Sequence, residues 1–199
     1  PFTIDTTGPT ADTVSGGLLD DADNDTGISS TDGITNNSAP ILSGQADALA
    51  LIQVEIDGIT YDGEADDSGY WEIALDDLSD GDYTPVIKVI DAAGNESAPI
   101  AGTPFTIDTL VPAEASAELI HDSISDTGVS STDGLTSATT LFLHGTAEAG
   151  AQVLVDLNGN EFNTVADATG HWSVRAEGLD EGEYLPLITV TDAAGNASD

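Results

Sequence analysis

Apolar side chains recur at every second position along several short stretches of this chain. Ile52, Val54 and Ile56 alternate with Gln53 and Glu55, and Val153, Val155 and Leu157 repeat the pattern further on. Trp71, Ile73 and Leu75 form another inward row, matched by Trp172, Val174 and Ala176. Tyr83, Pro85, Ile87 and Val89 face one way, and Thr84, Val86, Lys88 and Ile90 face the other. Successive side chains of a strand point to opposite faces of its sheet, so this spacing predicts half-buried β-strands. No window sustains a helical period. Asp57-Gly58, Asp80-Gly81, Gly94-Asn95 and Asn158-Gly159 supply turns between the rows. Six or seven short strands in roughly 100 residues predict an all-β fold, an antiparallel sandwich with Greek-key connections. Tyr83 and Tyr184 follow DGD and EGE at a strand start, where a tyrosine corner of an immunoglobulin-like domain sits. Trp71 and Trp172 are in phase with inward rows, which makes them core anchors rather than platforms for sugar stacking.

The pattern occurs twice. DTGISSTDGIT at Asp25 returns as DTGVSSTDGLT at Asp126, with nine of eleven positions identical and an offset of 101. The same offset relates Gly44 to Gly145, Trp71 to Trp172, Tyr83 to Tyr184, and DAAGN at Asp91 to DAAGN at Asp192. PFTIDT at Pro1 recurs at Pro104. A period of about 100 residues exceeds the 20 to 50 of a solenoid repeat and equals a whole domain. The expected organisation is therefore tandem immunoglobulin-like sandwiches of about seven strands each. Residues 1–6 end a preceding repeat or linker strand, residues 7–108 form the first repeat and residues 109–199 the second. The junction FTIDTLVP, Phe105 to Pro112, reads as a short, stiff connection because proline limits its freedom. The second copy stops at Asp199 without its own PFTIDT, so its last strand is expected to be missing. Pro1 to Thr6 of another molecule is a candidate to fill that gap by strand addition.

Charge narrows the function. The 199 residues carry 37 acids against Lys88 and Arg175, a formal net charge of −35. Phosphate recognition needs a basic surface, so nucleic acid is excluded as a partner, and an anionic membrane surface with it. No apolar run is long enough to insert in a membrane. Such a chain repels itself and needs high salt or bound cations as an offset. Carboxylate oxygens are hard ligands, which points to calcium; the bland alternative is that acidity only keeps the chain soluble. The sequence contains no cysteine, so neither disulfides nor thiol chemistry are available.

Candidate calcium ligands follow from spacing. DDADNDTGISSTDGIT, from Asp20, offers Asp21, Asp23 and Asp25 at alternate positions, then Asp32. Alternate carboxylates in a loop can converge on one cation, as in the first half of an EF-hand loop. Thr26 stands where that motif needs glycine and no closing glutamate follows, so an EF-hand is rejected. The second copy keeps Asp122, Asp126 and Asp133 but has Ile124 in place of Asp23. Asp, Gly and Ser also favour plain polar turns, which is the competing reading. The second candidate is the junction aspartate of TIDT, Asp5 and Asp108, near which the DAAGN acids Asp91 and Asp192 are expected. Asp66 and Asp167 precede tight turns and read as Asx-type turns. His121, His144 and His171 are isolated and lack zinc spacing. No acid pair, serine or glycine-rich loop marks a catalytic site or a small-molecule substrate.

Taken in order, TIDTxxP, DxGxSxxDGxT, ADxxGxW, the DGxY or EGEY corner and DAAGN resemble the bacterial Ig-like extender repeats of giant repeats-in-toxin adhesins. Those adhesins leave the cell by type I secretion and are tied to biofilm formation. The resemblance covers essentially the whole chain, twice. It implies a non-enzymatic stalk, secreted to the bacterial cell surface. Calcium at loops and junctions stiffens such a stalk, which projects a distal binding domain. It implies ligands at Asp5, Asp25, Asp32, Asp91, Asp108, Asp126, Asp133 and Asp192, neighbouring repeats of the same chain as partners, and a monomer. The rival expectation is that the repeats themselves bind a glycan, a surface or one another.

Overall fold

The computed structural model describes residues 2–120 and 124–198. The chain divides into two compact units, Pro1–Thr109 and Leu110–Asp199. Unit 1 contains β1 (Ser15–Leu18), β2 (Ile34–Thr35), β3 (Ile41–Gln45), β4 (Leu51–Ile56) and β5 (Ile59–Glu64). It continues with β6 (Tyr70–Ala74), β7 (Gly81–Tyr83), β8 (Val86–Ile90), β9 (Ile100–Ala101) and β10 (Phe105–Ile107). Unit 2 contains β11 (Glu118–Leu119), β12 (Thr140–Thr146), β13 (Gln152–Leu157), β14 (Asn160–Val165), β15 (His171–Glu177) and β16 (Leu187–Thr191).

Each unit is an immunoglobulin-like β-sandwich. In unit 1 the sheet β1-β3-β6 faces the sheet β5-β4-β8-β9. The alternating rows place Leu42, Ile52, Val54, Trp71, Ile87 and Val89 between them, each at most 1% exposed. In unit 2 the sheets β11-β12-β15 and β14-β13-β16 enclose Leu143, Val153, Val155, Leu157, Trp172 and Ala176. Both tryptophans are thus core anchors. The Tyr83 hydroxyl donates to the Ser79 carbonyl at 2.7 Å, and that of Tyr184 to the Asp180 carbonyl at 2.9 Å, forming a tyrosine corner in each unit. No helix of the described residues is long and apolar enough to cross a membrane.

One pairing departs from the antiparallel expectation. Phe105–Ile107, read from sequence as the last strand of its repeat running into a stiff connection, is a strand of unit 1 that lies between β2 and β7. It runs antiparallel to β7 and parallel to β2. No hairpin joins β10 to β2, so no tight turn forces opposite directions on that pair.

The tryptophan sits where two backbones almost touch. A Cβ built on Gly44 would lie 1.9 Å from the Ser15 carbonyl oxygen and 2.7 Å from the Trp71 ring. On Gly145 it would lie 1.7 Å from the Ser116 carbonyl and 2.7 Å from Trp172. Any side chain here pushes the first strand off its sheet. Gly44→Ala is therefore expected to cost unit 1 about 3 kcal/mol or more, and Gly145→Ala the same in unit 2. Gly182→Ala, whose Cβ meets nothing within 4 Å, should stay within about 0.5 kcal/mol. Urea melts of the three variants provide the check.

Candidate metal centre

The acid-rich loop of unit 1 leaves β1 and is pinned to β3 by one side chain. Asn24, 3% exposed, donates through Nδ2 to the carbonyls of Leu19 (3.0 Å) and Ile41 (2.9 Å), and its Oδ1 accepts from the Ile41 amide. The Asp21 carbonyl accepts from the amides of Asn24 and Asp25, closing a tight turn. That turn drives Asp25 inward to 1% exposure. Its Oδ2 accepts from the Gly33 amide at 3.0 Å, while Oδ1 is buried without a hydrogen bond. Gly33 holds φ at +74°, a left-handed conformation that glycine adopts without a Cβ penalty.

Burial pushes the Asp25 carboxyl above the ordinary carboxylate range. The Gly33 amide opposes this, and the charges of Asp32 and Asp20 push further in the same direction. Asp20 and Asp32, with Thr31, Ser43 and Thr103, line a polar groove of about 370 Å³. A buried, unsatisfied carboxylate oxygen with two more acids nearby is a costly arrangement without a cation. It is all-oxygen and anionic, and so fits calcium in charge and ligand chemistry. No group of three or more His, Cys, Asp or Glu among the described residues stands in coordinating positions. Asp20 and Asp32 are exposed, so Asp25 would be the fixed ligand, with them, loop carbonyls and water completing the shell. Bound there, the ion would offset two of the three negative charges.

The remaining predicted ligands fall into separate groups. Asp21 and Asp23 are exposed, and the Asp21 carboxylate accepts the Asp23 amide at 3.1 Å. Asp32 accepts the Ile34 amide at 3.0 Å. In unit 2, Asp126 is 1% exposed and accepts the Gly134 amide at 3.3 Å, and Asp133 accepts that of Leu135 at 3.1 Å. Ser125 stands in Asn24's place and accepts the Phe142 amide at 3.0 Å. Asp122 and His121 lie outside the described residues.

The DAAGN acids close their own turns. Asp91 Oδ1 accepts the amides of Ala93 and Asn95, and Oδ2 accepts the Asn95 side chain at 2.9 Å. The Asn95 hydrogen bonds hold its carboxyl below the usual range. Asp192, 2% exposed, accepts the amides of Gly195 and Asn196 and the Asn196 side chain. Asp5 is exposed; its carboxylate accepts the Thr7 amide and its carbonyl accepts from Asn95 Nδ2 at 3.3 Å. The structure thus places Asp5 beside the first DAAGN turn and away from the Asp25 cluster.

Asp108, half-buried, belongs to the end of unit 1 that carries the acid loop. Its amide donates to the Thr35 carbonyl at 2.9 Å, one step beyond the bond from the Thr106 amide to the Gly33 carbonyl. Asp80, not singled out from sequence, holds Thr109 through both its amide (3.0 Å) and hydroxyl (2.8 Å). Asp66 and Asp167 form Asx turns: each accepts from the amide and hydroxyl two residues on and from the amide four residues on. Those bonds hold both carboxyls low.

A sequence profile described as the bacterial Ig-like domain matches residues 13–109 and again residues 114–199. No curated protein sequence matches the chain. Among solved structures, the chain is similar to a Ca2+-stabilized adhesin with which an Antarctic bacterium reaches out and binds ice. The identity is 24%, over 98% of this chain and 48% of that one, with a TM-score of 0.46. It is 22% identical to a 1.5-MDa bacterial ice-binding adhesin studied for host cell surface retention, over 97% of this chain and 62% of that one (TM-score 0.44). A bacterial immunoglobulin-like domain of the M. primoryensis ice-binding adhesin is 24% identical, over 52% of this chain and all 100% of its own (TM-score 0.32). The chain therefore spans about half the length of the first and under two thirds of the second. These likenesses concern fold alone.

Asp25 and the turn acids have opposite linkage. The folded state binds a proton at Asp25 more readily than the unfolded chain does, so metal-free unit 1 gains stability as pH falls through that raised value. Asp66 and Asp91 are lowered on folding; their contribution holds above the ordinary value of about 4 and is lost as pH falls through their folded values. Asp25→Asn is expected to melt at or above wild type in chelator at neutral pH. In millimolar calcium it should fall below wild type. Thermal melts in both buffers check both signs.

Proposed function

We propose that this chain, which belongs to the bacterial Ig-like domain family, is a pair of extender repeats from the stalk of a large secreted bacterial surface adhesin. The carrying observation is a sandwich present twice, each copy with its own hydrophobic core and a buried aspartate at the same loop position, Asp25 and Asp126. Such an array adds length, and two copies of one motif order are poor candidates for two active sites. The reading is therefore non-enzymatic, with a distal domain of the parent performing adhesion and supporting biofilm growth.

Calcium is the proposed stiffener. It offsets the self-repulsion of a net −35 chain and completes the Asp25 cluster. The acid loop is tied to β10 through Gly33 and Thr35, and the chain leaves unit 1 directly after β10 through Asp108 and Thr109. An ion near Asp25, Asp32 and Asp108 would fix that exit and with it the direction of the stalk. Secretion into a calcium-rich exterior, by the type I route, fits a cysteine-free, acidic chain.

The test is small-angle X-ray scattering with thermal melts, in millimolar calcium, in chelator, and in sodium chloride of matched ionic strength. Extracellular calcium modules bind at about 10⁻⁴ to 10⁻³ M, so an excess of ten- to a hundredfold stabilises by roughly 1.4 to 2.7 kcal/mol. That is on the order of 10 °C for a domain of this size. Calcium should raise the melt by that amount and narrow the scattering to one extended species, beyond any effect of sodium. Asp108→Asn should keep the melt and lose the narrowing. A melt and a shape indifferent to calcium would sink the reading.

A further inference from the structure

Two of the chain's three histidines, far apart in sequence, meet on one face of unit 2. In the antiparallel pair of β12 and β15, His144 lies opposite Ser173, and His171 lies opposite Thr146. The two histidines are therefore diagonal neighbours across the strands. The pair between them, Gly145 and Trp172, turns into the core. Alternation then puts both imidazoles on the outer face of the sheet, where both residues are exposed. Diagonal neighbours have Cα atoms about 7 to 8 Å apart and Cβ atoms somewhat closer, within reach of long side chains. Both rings line one surface groove of about 350 Å³, together with Thr164, Asp167 and Ser173.

One of the two rings is already oriented. Asp167 Oδ1 accepts the amides of Thr169 and His171, and it accepts the Thr169 hydroxyl at 2.6 Å. That hydroxyl has a single proton, which points at Asp167. Its 2.9 Å contact with His171 Nδ1 must then run the other way, with Nδ1–H donating to the Thr169 Oγ1. The neutral ring is thereby fixed as the Nδ1–H tautomer, which leaves a lone pair on Nε2. A histidine whose other ring N–H donates into a carboxylate-backed hydrogen bond has the arrangement that orients metal ligands. Unit 1 has the turn without the rings. Ser68 donates to Asp66 as Thr169 does to Asp167, but Ser43 and Tyr70 stand where unit 2 has His144 and His171. The Tyr70 hydroxyl donates to Glu72 instead. The histidine pair is therefore no part of the turn that both units share.

We propose that His144 and His171 form a site for a divalent transition-metal ion of the zinc class, held by two imidazoles with water completing its shell. Imidazole nitrogen suits zinc, copper and nickel, whereas calcium takes oxygen ligands. The acidic surface draws cations of every kind, and the paired rings select among them. Asp167 is a positioning residue here: its Oδ1 is taken up by three donors, and it acts on His171 through Thr169. The bound ion ties β12 to β15 on the outside of the sheet. With two protein ligands it keeps open coordination positions, so it exchanges with the surroundings, unlike a closed four-ligand zinc site. This goes beyond the stalk reading, because ligand type, location and ion class all differ from those of the acid loop.

Zinc chloride titrated into the whole chain, with millimolar calcium present to occupy carboxylate sites, is the test. It is read by calorimetry and by the ring nitrogen resonances of the histidines. Before zinc, His171 is expected as the Nδ1–H tautomer. A single equivalent of zinc should then shift the ring nitrogens of both His144 and His171. His144→Gln and His171→Gln should each weaken binding by at least about tenfold, the loss that even an outer-shell change brings. Circular dichroism should stay unchanged in both, because both positions are exposed. Thr169→Val should release the tautomer preference of His171 and weaken zinc by about ten- to a hundredfold. Zinc that moves neither ring or only one, or that binds both single variants as tightly as wild type, overturns the site. Thr169→Val with an unchanged tautomer and unchanged affinity overturns the positioning role of Asp167 and Thr169.

Discussion

Electrostatic self-repulsion is the constraint around which this protein is built. Thirty-seven acids face two cationic side chains, and those two are spent locally, Lys88 on Glu96 and Arg175 on Glu177. Like charges a few ångströms apart cost about 1 kcal/mol in water and more as the surroundings dry out. The fold disposes of most acids where water and mobile ions screen them within roughly 8 to 10 Å. Others are put to use as turn caps: Asp66, Asp91, Asp167 and Asp192 each collect amide hydrogen bonds. Asp25 follows neither route. It is buried, half-satisfied and repelled by Asp20 and Asp32. A folded state that keeps such a group at neutral pH is one that a cation relieves.

The sandwich was legible because it rests on period-two burial. The rows through Ile52, Trp71 and Ile87 face inward as read, and the tyrosine corners sit where DGD and EGE announce them. The parallel pairing of β10 with β2 was not legible. It joins residues some 70 positions apart, and nothing in an alternating pattern states a direction. Local chemistry separated the acids less well. Alternate aspartates suggested convergence of Asp21, Asp23 and Asp25, yet a helix-like turn places Asp25 inside and leaves the other two in water. The residue that imposes this is Asn24, which reads in sequence as one more polar turn residue. Asp20 escaped notice for the same reason: its effect on Asp25 depends on how the loop folds back, not on spacing along the chain. Saturation of Asp91 by Asn95 follows the Asx-turn grammar of DAAGN.

The boundary between repeats is structural on its unit 1 side. Phe105 and Ile107 complete the core of unit 1, Thr106 binds Asp82, and Asp80 grips Thr109 at the last residue before unit 2 begins. A strand that belongs to a core leaves few free dihedrals at the point where the chain leaves unit 1. The acid loop is hydrogen-bonded to that same strand through Gly33 and Thr35. Charge neutralisation at Asp25 and order at the chain's exit are therefore one problem. On the proposed reading, a cation at the loop would act on the strand through which the chain leaves unit 1, which is where a stalk would gain most from being stiff.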